Sequence, residues 1–147
     1  MLKSDNYIQT RDELVIIDDN NFHRTCFCRT LSDWIDDTDV SAFKSVDEWI
    51  KSGPIEGNPI VLIRVRIRDD GHEDMAETIA RVHGVAANAP VIIISNNEDP
   101  VAVVAALEHG ARGVISQKST LEMALAVIRL VRAGGVFIPA ASLLEQR

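Results

Sequence analysis

Leu14-Val15-Ile16-Ile17, Ile60-Val61-Leu62-Ile63 and Val91-Ile92-Ile93-Ile94 are short, wholly apolar and mostly β-branched runs, and each stops at a polar residue. A run of four to eight residues with no polar side is how a strand reads when both of its faces are buried. Pro90 opens the third run, a position proline tolerates at a strand start. A further short strand is expected at residues 113–116, after Gly110, and a weaker one at residues 40–43.

The stretches between these runs read as helices. Phe22, Cys26, Phe27, Leu31, Trp34 and Ile35 recur at helical spacing and place a first helix over residues 22–34. Ser45 with Glu48 three residues on has the form of a capping box, and Pro54 with Gly57-Asn58-Pro59 ends the second helix. A third helix is expected over residues 73–83. A fourth runs over residues 101–109, introduced by Pro100 and closed by Gly110, and a fifth over residues 121–132, ending at Gly134-Gly135. Strands alternating with helices at this spacing predict βαβ units and a parallel, doubly wound α/β sheet covered on both faces.

With 147 residues, 46% of them hydrophobic, the chain suits one domain with a single core. The expected division is an N-terminal extension at residues 1–12, a domain at residues 13–140 and a tail at residues 141–147. Neither a basic start leading into an apolar run nor a membrane-length apolar stretch is present, which predicts a cytoplasmic protein. A net charge of −7 works against direct contact with nucleic acid, whose binding rests on Lys and Arg releasing counterions. Cys26 and Cys28 sit two apart in a helix and point to different faces, so neither a disulfide nor a metal pair is expected. His23, His72, His83 and His109 have no metal-ligand spacing and no nucleophile motif, and are read as surface or packed residues.

In open parallel sheets, reactive groups gather beyond the carboxyl ends of the strands. That rule singles out Asp18, Asp19, Arg64, Ser95, Gln117 and Lys118. Adjacent carboxylates such as Asp18 and Asp19 suit a hard divalent cation, although an acidic turn capping the first helix gives the same pattern.

The first strand with its Asp18-Asp19 end, the Pro90-Val91-Ile92-Ile93-Ile94-Ser95 strand, the passage Ala105-Ala106-Leu107-Glu108-His109-Gly110-Ala111-Arg112-Gly113 and the ending Gly134-Gly135-Val136-Phe137-Ile138-Pro139 together resemble receiver domains of two-component response regulators, in the LuxR/NarL branch. The resemblance covers roughly residues 14–139. It implies a flavodoxin-like (CheY-like) fold with five parallel strands in the order 2-1-3-4-5. It matches Asp18 and Asp19 to the acidic pair that helps bind magnesium, and Ser95 to the hydroxyl that turns toward the phosphate. The phosphate-accepting aspartate at the end of strand 3 is matched by Arg64, and a guanidinium cannot form an acyl phosphate. The lysine after strand 5 falls on Gln117, or on Lys118 with a one-residue slip, and the aromatic switch position falls on Val114. Members of this branch usually carry a helix-turn-helix domain after the receiver, which links the resemblance to transcription regulation.

This pattern predicts a pseudo-receiver, with Arg64 bridging Asp18 and Asp19 where a metal would sit. No cofactor is expected, magnesium binding at most weakly, and no enzymatic activity. The expected partner is another protein or a second copy, met through helix 4, strand 5 and helix 5, with Val101, Val104, Leu107, Leu121, Ala124 and Val127 as candidate contacts. Two other readings stand beside it. One is a working acceptor at Asp69 or Asp70, and the other a flavodoxin-like binder of small anions, which the acidic, glycine-free first loop disfavours. Continuation of the strand would align Arg64, Arg66 and Arg68 on one side, which reads either as an anion-binding surface or, with more weight, as arginines paired with Asp69, Asp70, Glu73 and Asp74.

Overall fold

A computed structural model describes residues 12–65, 75–96 and 99–139. Ten elements alternate along them: β1 (Asp12–Ile17), α1 (Asn21–Trp34), β2 (Thr38–Phe43), α2 (Val46–Lys51), β3 (Ile60–Val65), α3 (Met75–Val85), β4 (Val91–Ser95), α4 (Pro100–Glu108), β5 (Gly113–Ser116) and α5 (Leu121–Arg132). The strands form one sheet in the order β2-β1-β3-β4-β5, and every pairing is parallel. This is the flavodoxin-like order that the sequence implies. None of the described helices is long and apolar enough to cross a membrane.

The absence of a polar side in the central strands has a direct structural cause. Val15, Ile17, Val61, Ile63, Val91, Ile93 and Val114 pack under α2, α3 and α4. The residues between them, Leu14, Ile16, Ile60, Leu62, Ile92, Ile94 and Ile115, pack under α1 and α5. Side chains alternate across a strand, so a strand covered on both faces must be apolar at every position.

Local chemistry fixes the helix starts. Asn20, Ser45, Asp99 and Thr120 each accept a backbone N–H from the first turn that follows. At α2 the box is reciprocal: Ser45 accepts from the Glu48 N–H at 3.1 Å while the Glu48 carboxylate accepts from the Lys44 N–H at 3.1 Å.

Several boundaries differ from expectation. β2 begins at Thr38, two residues early, because its pairing with β1 starts at Asp12 opposite Thr38, and the buried Thr38 hydroxyl accepts from Arg132 of α5 at 2.9 Å. β3 does not stop at its apolar run but continues through Arg64 and Val65, which pair with Ile94 and Ser95. α3 runs on to Val85, and His109 caps α4 without belonging to it. The expected α3 start at Glu73 and the further arginines Arg66 and Arg68 lie outside the described residues.

One feature escaped the sequence pattern altogether. Phe137 forms a parallel bridge to Gly113, its N–H donating to Arg112 O at 3.0 Å and its carbonyl accepting from the Val114 N–H at 3.2 Å. The chain after α5 therefore lies along the outer edge of β5, with Phe137 packed on one core cluster and Ile138 on the other.

Leu62 lies in the central strand and is fully buried. Leu62→Ala should lower unfolding stability by about 2 to 5 kcal/mol through lost burial and the cavity left behind, read as a shifted denaturant midpoint at unchanged slope.

Candidate functional site

The β1–β3 pairing sets Ile17 beside Ile63. The next residues along the two strands, Asp18 and Arg64, therefore stand side by side at the carboxyl end of the sheet. Asp18 continues β1 by one step, its N–H donating to Phe43 O at 3.0 Å. Its side chain is completely buried, and a buried carboxylate is stable as an ion only if its oxygens are satisfied.

They are. Asp18 Oδ1 accepts from the Asn20 N–H at 2.9 Å and from Arg64 Nη1 at 3.2 Å. Oδ2 faces His23 Nδ1, and since a carboxylate only accepts, the imidazole donates. The Asp18 carbonyl accepts from Arg24 Nη1 at 2.8 Å, while Arg24 Nη2 donates to Asn21 Oδ1 at 2.6 Å. Asp19 differs in kind: its side chain is 73% exposed, and Arg64 Nη1 lies 3.9 Å from its Oδ1. The Arg64 side chain is only 8% exposed, and its Nε is buried with no hydrogen-bond partner among the described residues.

A magnesium ion needs several converging oxygens and open positions for water. Here a guanidinium lies 3.2 Å from one oxygen of the buried acid and an imidazole against the other. Among the described residues no group of three or more His, Cys, Asp and Glu is placed to hold a metal. The donor set does not fit a divalent cation, and its chemistry is that of a closed charge-assisted network.

The other candidate residues are placed separately. Ser95 is buried at the end of β4, beside Val65 and Ser116, and its carbonyl accepts from the Gln117 N–H at 2.9 Å. Gln117 and Lys118 form the exposed turn after β5, with the Lys118 N–H donating to Ser116 Oγ at 3.1 Å. Among the described residues no hydrogen bond or ion pair joins either to the Asp18 group. Val114 is buried in the core between sheet and α4. Asp69 and Asp70 lie outside the described residues. Cys26 is exposed and Cys28 half-buried, both free.

Two expectations need correction. His23, read as a surface or packed residue, is a member of the site. The signal was its place three residues after the N-cap Asn20, because side chains in the first turn of a helix lean back toward its N-terminus, here over the end of β1. Ala124 and Val127, offered as partner contacts, are buried against the sheet. The exposed side of α5 carries Glu122, Met123, Ala126, Arg129 and Leu130.

No family model matches the chain, and no curated protein matches it. Solved structures do. A LuxR-family DNA-binding response regulator from Silicibacter pomeroyi superposes with a TM-score of 0.73 at 19% identity, covering 88% of this chain and 98% of that one. The RcsB response regulator of Salmonella typhimurium, described by its conformational dynamism for DNA interaction, gives 0.72 at 16% identity over 88% of this chain and 63% of its own. A response regulator from Burkholderia pseudomallei, solved with a phosphorylated aspartic acid, calcium ion and citrate, gives 0.60 at 20% identity over 78% of this chain and 65% of its own. The chain therefore has the fold of response-regulator receiver domains. It spans less than two-thirds of the RcsB and Burkholderia chains.

Arg64→Ala would leave Asp18 buried without its guanidinium. The expected loss is about 3 kcal/mol, whereas Arg64→Met combined with Asp18→Asn should cost markedly less because both charges go together. Denaturant unfolding of the two variants checks this, and equal losses would show that the pair carries no coupling.

Proposed function

We propose that this chain is a pseudo-receiver: a receiver-like signalling module of a two-component response regulator that acts by contact with a protein partner, without phosphorylation and without catalysing a reaction. The observation that carries the reading is Arg64 Nη1 at 3.2 Å from Asp18 Oδ1. By the family resemblance, position 64 is where the phosphate-accepting carboxylate belongs. A guanidinium there supplies no nucleophile, and it also neutralises the acid that would help hold magnesium. Gln117 in place of the lysine, and a small packed Val114 in place of an aromatic switch, agree with a domain held in one state. The functional unit is residues 13–140, working in the cytoplasm. With a net charge of −7, contact with DNA is left to another domain or partner.

Two measurements test this. Incubation with acetyl phosphate and magnesium should leave the protein unlabelled. Stoichiometric labelling mapped to Asp69 or Asp70 would replace this reading with that of a working acceptor.

The second measurement restores the missing acid. Arg64→Asp assembles three carboxylates, so it should lose about 1 to 3 kcal/mol of stability without metal, from crowded like charges. It should regain stability as magnesium is raised, because a cation that binds only the folded state stabilises by mass action. Thermal melts with and without millimolar magnesium compare the two proteins. Equal stabilisation of wild type and variant would mean that Arg64 does not block the pocket.

A further inference from the structure

The end of α1, the loop into β2 and the end of α5 enclose a cavity of about 480 Å³ at the end of the sheet opposite Asp18. Its floor is apolar, made by Ile35, Leu125 and Ile128, all buried in the core under α1 and α5. Trp34 also lines it and is 48% exposed, so an indole ring is open to whatever enters.

The rim carries charges of both signs. Arg132 is engaged at every nitrogen: Nε lies 3.4 Å from Asp12 Oδ2, Nη1 3.9 Å from Asp37 Oδ1, and Nη2 donates to Thr38 Oγ1 at 2.9 Å. Arg129, one turn earlier on α5, is exposed, and its guanidinium makes no hydrogen bond or ion pair among the described residues. The Asp37 side chain is 78% exposed. Its Oδ1 accepts from the Thr38 hydroxyl at 3.1 Å, while its Oδ2 receives no donor among the described residues. Asp37 and Arg129 thus line one cavity without pairing with each other.

We propose that this cavity binds a free aromatic α-amino acid in its zwitterionic form. Its carboxylate pairs with the Arg129 guanidinium, which offers a planar fork of donors. Its ammonium donates to Asp37, a carboxylate with acceptor positions to spare. Its ring lies on Trp34 above the apolar floor, where stacking adds to burial. A plain anion would meet the carboxylates of Asp36 and Asp37, and a plain cation the guanidiniums of Arg129 and Arg132. A molecule with both charges on one carbon and an apolar ring answers all three parts of the lining, and the volume is that of a small-molecule site. The site goes beyond the pseudo-receiver reading and shares no residue with the Asp18 group, so the two stand or fall separately.

L-Phenylalanine titrated into the full chain should give a saturable calorimetric isotherm with a Kd on the order of 0.1 to 1 mM, as expected for a ligand of about a dozen non-hydrogen atoms in an open site. In heteronuclear NMR spectra the indole N–H signal of Trp34, identified by its loss in Trp34→Phe, should move, and that of the buried Trp49 should not. N-acetyl-L-phenylalanine lacks the ammonium and L-phenylalaninamide the carboxylate, so each should bind at least about tenfold more weakly. Arg129→Ala should weaken L-phenylalanine by a similar factor and leave L-phenylalaninamide unchanged, whereas Asp37→Asn should weaken L-phenylalanine and leave the N-acetyl compound unchanged. A general structural effect of either substitution would not divide the ligands in this way. No saturation up to about 10 mM overturns the proposal, as does a shift of Trp49 in place of Trp34. An N-acetyl compound that binds as tightly as the free amino acid would replace it with a plain carboxylate site, and an amide that does so with a plain cation site.

Discussion

A carboxylate with no exposed surface has to be neutralised by whatever surrounds it, and at the end of β1 that requirement organises the molecule around Asp18. Its two oxygens and its carbonyl engage Asn20, His23 and Arg24 from the start of α1 and Arg64 from β3. The first turn of α1 and the end of β3 are thus fixed to one atom group. Arg64 is suited to this because its delocalised charge desolvates more readily than an ammonium, and its Nη1 lies 3.2 Å from Asp18 Oδ1 and 3.9 Å from Asp19 Oδ1. Even so, its Nε has no partner among the described residues.

Net charge at the site follows from the same arrangement. Among the described residues, two acids, Asp18 and Asp19, and two guanidiniums, Arg64 and Arg24, meet at the end of β1, although the chain as a whole is acidic. The position that the family resemblance gives to a movable aromatic holds Val114, a β-branched side chain packed in the core, with few rotamers to choose between.

Much of this was legible in the residues because burial on both faces leaves an unmistakable mark: β4 up to Ile94 and β3 from Ile60 to Ile63 are apolar at every step, and α5 and β5 begin and end where their caps and glycines put them. The approach of Arg64 to Asp18 was also readable, since strand ends in a parallel sheet lie together. What was hidden depended on contacts between distant segments. Thr38 and Asp39 carry no strand signal of their own and are drawn into β2 by the register with Asp12 and Glu13. His23 has no motif around it, and only the direction in which α1 leaves β1 brings it over Asp18. Phe137 follows two glycines and reads as a loop, yet the unpaired edge of β5 supplies it with partners.

That last contact limits how the domain can be recognised. An exposed strand edge invites another chain to extend the sheet, but an incoming strand at β5 would first have to displace Phe137 and its two backbone hydrogen bonds, along with the packing of Phe137 and Ile138 on both core clusters. Sheet extension is therefore disfavoured on this side. On α4 the exposed apolar surface is concentrated at Val101, at the helix start, whereas on α5 it runs the length of the helix through Met123 and Leu130. The closed strand edge thus leaves the exposed apolar side chains on this side of the fold to the helices and to Val136.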